Sequence, residues 1–160
     1  MLRTIGYWTD SEGHGGKYIH PRDLVDPSWE ASRRSRIVMY LRSGVKVYSE
    51  VGFSYCRFEG GPPDIEMGCW ELSDGAYIWP QGLAIYVERY HVRLPNTFIR
   101  HMAKRNFSIT THLDMGAIER VRNGGAVSNF FWKAWCAKEK TQLSVKSVLA
   151  RSWAKLKGRK

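Results

Sequence analysis

Three cysteines in 160 residues, an odd number with no paired spacing, supply no disulfide framework. No apolar run approaches the roughly 18 residues that a membrane-spanning helix requires. The opening MLRTIGYWTDSEGHGG lacks the apolar stretch of a secretory signal, so a cytoplasmic protein is expected. No internal repeat or low-complexity tract is present, and 43% hydrophobic residues are too many for wholesale disorder. Acidic residues are scarce at one end only. Residues 1–105 hold 14 Lys/Arg against 12 Asp/Glu, whereas residues 106–160 hold 11 against 3. A cationic excess confined to the last third suits an anionic partner, or simply a solubilising face.

Aromatics, by contrast, are plentiful: seven tryptophans and eight tyrosines fill a core or enrich a contact surface. LRTIGYWT reads as an edge strand, and Asp10 to Gly16 as a glycine-rich loop. Asp26-Pro27 pairs an N-cap with a proline at the first helical position, which predicts a helix over 27–43 that stops at Gly44. VKVYSEVGFSYCRF and IEMGCWEL read as paired strands across the EGGPPD turn. In SDGAYIWPQGLAIYVERYHVRLPNTF, Ser73-Asp74-Gly75 makes a hairpin turn, AYIW a third strand, and Pro80 the first position of a helix. Leu83, Tyr86, Val87 and Tyr90 give that helix one buried stripe; Pro95 ends it and NTFIRHMAKRN starts another.

The last third has a different character. A short helix over 115–122 ends at Asn123-Gly124-Gly125. NFFWKAWCAKEK is helical, and TQLSVKSVLARSWAKLKGRK places Val145, Val148, Leu149, Trp153 and Leu156 on one narrow face. Lys146 and Lys157 flank that face on one side, Arg151 and Lys155 on the other. The expectation is an α+β protein. A small, mainly antiparallel sheet covered by helices occupies residues 1–106, and a basic helical extension occupies 107–160.

The run from HPRDLVDPSW through YLRSG, SYCRF and SDGAYIWPQGLAIYVERYHVRLPNTF resembles a family of small, uncharacterised bacterial proteins. The likeness spans residues 17–101, and its last segment is the specific part. It implies a compact α+β domain and no established activity, and it transfers no functional residue. The family's second cysteine, three residues after the first, is Glu59 here.

Candidate chemistry is sparse. His14, His20, Cys56, Cys69 and His91 are the right elements for zinc, but no C-x-x-C or cysteine-pair-plus-histidine spacing joins them. Cys56 with His20 or His91 would make a thiol–imidazole pair, yet no nucleophile motif surrounds it, and a core thiol fits its strand position better. EGHGGK misses the phosphate-loop spacing. Glu71 and Asp74 read as strand-edge and turn residues. Neither a cofactor, a metal nor a catalytic group is expected.

The expected function is non-catalytic binding. The cations Lys138, Lys140, Lys146, Arg151, Lys155, Lys157, Arg159 and Lys160 would neutralise phosphates, with Trp132, Trp135 and Trp153 stacking on bases. The partner would be nucleic acid or an acidic ribonucleoprotein or protein surface. An inhibitor-type protein gripping an acidic partner through its aromatics is one alternative. An enzyme using Cys56 and the histidines is the other.

Overall fold

A computed structural model describes residues 1–9, 16–109 and 113–157, with side chains up to residue 150. Among the described residues the order is β1 (Arg3–Thr4), a 3-10 turn (Pro21–Leu24), α1 (Arg34–Arg42), β2 (Val45–Ser49), α2 (Asp64–Met67), β3 (Trp70–Ser73) and β4 (Tyr77–Pro80). Then come α3 (Leu83–Tyr90), α4 (Asn96–Lys104), α5 (Met115–Arg122) and α6 (Phe130–Lys157). The fold is α+β. None of the described helices is long and apolar enough to cross a membrane.

The four strands form one sheet in the order β1-β4-β3-β2. β2, β3 and β4 are joined by short connections and pair antiparallel. β1, separated from β4 by α1 and two strands, is free of any hairpin constraint and pairs with it in parallel. The sheet is therefore mixed, which corrects the largely antiparallel expectation. Strand alternation sorts the core. Tyr77 and Trp79 of β4 face the main core with α1, α3 and α4, while Ile78 faces a smaller cluster with Leu2, Val47, Ala117, Ile118 and Val121. Helices thus cover both faces.

Several boundaries move. Asp26 does cap: its Oδ1 accepts from the amides of Ser28 at 2.9 Å and Trp29 at 3.2 Å. However, Glu30 takes φ 50, which breaks the expected 27–43 helix and delays α1 to Arg34. The Arg34 guanidinium then satisfies the Pro27 and Trp29 carbonyls left over. Beyond Ser49 the expected strand gives way to irregular chain, with Gly52 at φ 94. Asp64–Met67 is a single helical turn rather than strand. Pro80 closes β4, where a missing N–H costs nothing, and α3 starts only at Leu83.

The core also crosses the boundary drawn after residue 106. Ser128 donates its amide to the Leu2 carbonyl and accepts from the Thr4 amide, extending the sheet edge. Trp132 and Cys136 of α6 are fully buried in the main core. The helical extension therefore begins well beyond residue 107: α6 leaves the body only after Leu143, its last residue packed on that core.

Candidate functional site

α6 runs 28 residues, about 42 Å at about 1.5 Å per residue, and its two halves meet different surroundings. In the first half, apolar spacing turns Trp132 and Cys136 inward, one helical turn apart. The Trp132 indole N–H donates to the Tyr7 carbonyl at 2.6 Å, and its ring packs edge-on against Trp8 at 5.1 Å. Trp135 stacks on Trp132 at 4.9 Å and is half-buried. Arg93 pairs with the buried Glu139 at 2.9 Å. The Lys140 ammonium donates to the Gly16 carbonyl.

Two of the three tryptophans expected to stack on bases are thus structural. Trp132 cannot reach a partner, and Trp135 offers only part of a ring. Lys140 is committed as well. The physical reason is that the aromatic stripe of the first half completes the core around Trp8 and Ile19 rather than facing solvent.

The second half is bare. Every residue over 144–150 is exposed, all the way round the helix. Val145, Val148 and Leu149 keep 53%, 51% and 54% of their surface in solvent. Lys138 and Lys146 are exposed beside them. Arg151, Trp153, Lys155 and Lys157 follow on helical backbone, with side chains outside the described set; Arg159 and Lys160 lie outside the described residues altogether.

The thiol and histidine candidates do not converge. Cys56 is half-buried, and its neighbour is the Tyr90 phenol, pushed up by burial and by that thiol. No histidine hydrogen-bonds to Cys56 among the described residues. His20 is buried, with Nδ1 accepting from the Arg22 amide. His91 occupies the left-handed position that ends α3. Cys69 is half-buried and Cys136 lies in the core, its thiol pushed up to about 11 mainly by burial. His14 lies outside the described residues. Among those described, no three His, Cys, Asp or Glu side chains are grouped for a metal.

Two carboxylates read from the sequence as peripheral are buried instead. Asp74 accepts from Tyr40 at 2.6 Å and His101 at 2.8 Å, and from the amides of Ala76 and Tyr77. Burial alone would raise this carboxyl, but the hydrogen bonds hold it below the usual range. Arg105 donates to the Asp74 carbonyl at 3.0 Å, so α1, α4 and the β3–β4 turn are tied at one point. Gly75 completes that turn at φ 87, where an added Cβ would sit 2.6 Å from the Asp114 amide nitrogen.

Glu71 on β3 is the second buried carboxylate. The Tyr7 hydroxyl donates to its Oε2 at 2.5 Å, and the other oxygen accepts from none of the described residues. Burial, reinforced by Glu50, pushes the carboxyl up to about 7 despite that hydrogen bond. One signal for Glu71 was available in the sequence: a lone acid inside the apolar run of a strand. A larger cleft of about 420 Å³ lies by Arg42, Lys46 and Arg89. Its cations are engaged: Arg42 with Glu88, Arg89 with Glu66, and Lys46 over the Trp70 ring.

The chain matches no protein-family model, no curated protein and no solved structure.

Proposed function

We propose that this chain is a non-catalytic binding protein that lays the far half of α6 into an acid-rimmed apolar groove on a protein partner. The observation that carries this reading is the exposed run over 144–150, where Val145, Val148 and Leu149 stand beside Lys146. Apolar side chains at helical spacing on a projecting helix are the anchors of helix-in-groove recognition. The cations in the sequence around them, from Lys138 to Lys157, complement acidic residues at a groove rim and steer the encounter. Loss of Trp132 and most of Trp135 to the core removes stacking platforms that direct base contact would use.

Direct nucleic-acid binding is the second reading, favoured by the 11-to-3 excess of cations after residue 105. One experiment separates the two: affinity purification from the native host, with and without nuclease, using the wild-type chain and a V145E/L149E double variant. A single stoichiometric protein, retained after nuclease and lost with the variant, supports the protein-partner reading. Capture that disappears with nuclease, together with direct binding of DNA or RNA at about 50 mM salt, replaces it with the second. Equal capture by both chains removes α6 from the interaction.

A further inference from the structure

Away from α6, a cleft of about 280 Å³ opens where β1, the irregular chain after β2, β3 and the start of α3 meet. Its walls are aromatic: Tyr7, Trp8, Tyr18 and Tyr86 line it, with Trp8 and Tyr86 edge-to-face at 5.7 Å. Its acids are Glu71 and Glu50. Gly6, at φ 81, lets the backbone of this wall lie against Leu83, where an added Cβ would meet that side chain at 2.7 Å.

A buried acid lacks a counter-charge here. Glu71 is 5% exposed, yet no cation pairs with it among the described residues. A buried carboxylate without a counter-ion is costly, and its second oxygen is unused. Glu50 adds negative charge rather than relieving it. The Trp8 ring adds to the aromatic wall, while its indole N–H is shut off from the cleft and lacks an acceptor. Tryptophan N–H groups normally find one when buried. Arg57 also lines the cleft, but its guanidinium lies over the Tyr55 ring at 4.4 Å and donates to the Tyr55 carbonyl at 2.9 Å.

What would satisfy Glu71 is a positive charge. Aromatic faces around an acid favour an organic ammonium over a metal ion, because the ring quadrupole attracts the cation while excluding water. The space equals that of about nine waters at about 30 Å³ each, so the occupant has on the order of ten non-hydrogen atoms. We propose that this cleft binds a small organic amine, its ammonium held between Glu71 and Glu50.

Three probes dissect the claim by tryptophan fluorescence and calorimetry on the full chain. L-phenylalaninol carries both an ammonium and a hydroxyl, phenethylamine the ammonium alone, and 3-phenylpropanol the hydroxyl alone. Phenylalaninol and phenethylamine are each expected to bind with a Kd of about 1 mM or tighter, and 3-phenylpropanol at least about tenfold more weakly. Glu71→Gln should bring phenylalaninol to the level of 3-phenylpropanol while melting at or above the wild type, and Glu50→Gln should weaken it less. No saturation by phenylalaninol at about 10 mM overturns the proposal, as does equal binding of 3-phenylpropanol or unchanged affinity in Glu71→Gln.

Discussion

Glutamine at position 71 keeps the shape of the side chain and still accepts from Tyr7, but it carries no titrating proton. In the wild type Glu71 is enclosed on β3 and faced by the Tyr7 hydroxyl, by Glu50 and by Tyr48. Its carboxyl is held at about 7, against 4.5 for an ordinary glutamate, chiefly by burial. Between those two values the native state keeps a proton that the unfolded chain has released, so stability falls as pH rises through the window. At about 1.4 kcal/mol for each pH unit, the rise is worth about 3 kcal/mol. Urea unfolding followed by tryptophan fluorescence, run at about pH 4.5 and about pH 8, measures it. The variant should gain about 3 kcal/mol on the wild type between those two conditions. Other titrating groups act in both chains and cancel in the difference. A stability gap that stays constant with pH would refute the reasoning, because Glu71 would then ionise alike in both states.

Two further substitutions probe the frame. Trp132→Ala empties a fully buried site under Trp8 and orphans the Tyr7 carbonyl, so it should cost about 3–5 kcal/mol in urea unfolding. A loss below about 1 kcal/mol would mean that α6 is not part of the core. Asp74→Asn breaks the junction with His101, Tyr40 and Arg105 and should cost roughly 3 kcal/mol near neutral pH. Because the Asp74 carboxyl is held low, its contribution is present above the ordinary carboxylate pKa and disappears as pH falls below it. Acid titration by circular dichroism should therefore show the variant converging on the wild type in acid; parallel curves would contradict the network.

Elements with strong local punctuation were legible in the sequence. α5 begins at the Asp114 cap, whose Oδ1 accepts from the Ala117 amide, and ends before Gly124 at φ 84, as its residues require. α4 follows Pro95, and the Ser73-Asp74-Gly75 turn closes its hairpin. What failed depended on partners distant in the chain. Glu30 adopts a left-handed conformation while its carboxylate pairs with Arg33 at 2.7 Å, which no helix propensity foresees. β1 pairs with β4 in parallel across more than 70 intervening residues, and short-range patterns carry no such register. The candidate surface was half legible. Spacing alone put Val145, Val148 and Leu149 on one stripe, but with every residue over 144–150 exposed no face is singled out there, and spacing could not separate that stripe from the one carrying Trp132. Only the position of Trp8 and Tyr7 decides which aromatics are taken inward. The cleft acid Glu71 was missed because its environment comes from β1 and the chain after β2.

An unbroken α6 has a mechanical consequence. Its base is clamped by Trp132, Cys136 and the Arg93–Glu139 pair, so the outer turns point along a bearing chosen when the protein folds. Every residue over 144–150 is exposed, so the outer turns of this rod rest on backbone hydrogen bonds propagated from the anchored base. Any tug on the tip is delivered straight to the Trp132–Trp8 pair, the floorboard shared by the rod and the rest of the molecule.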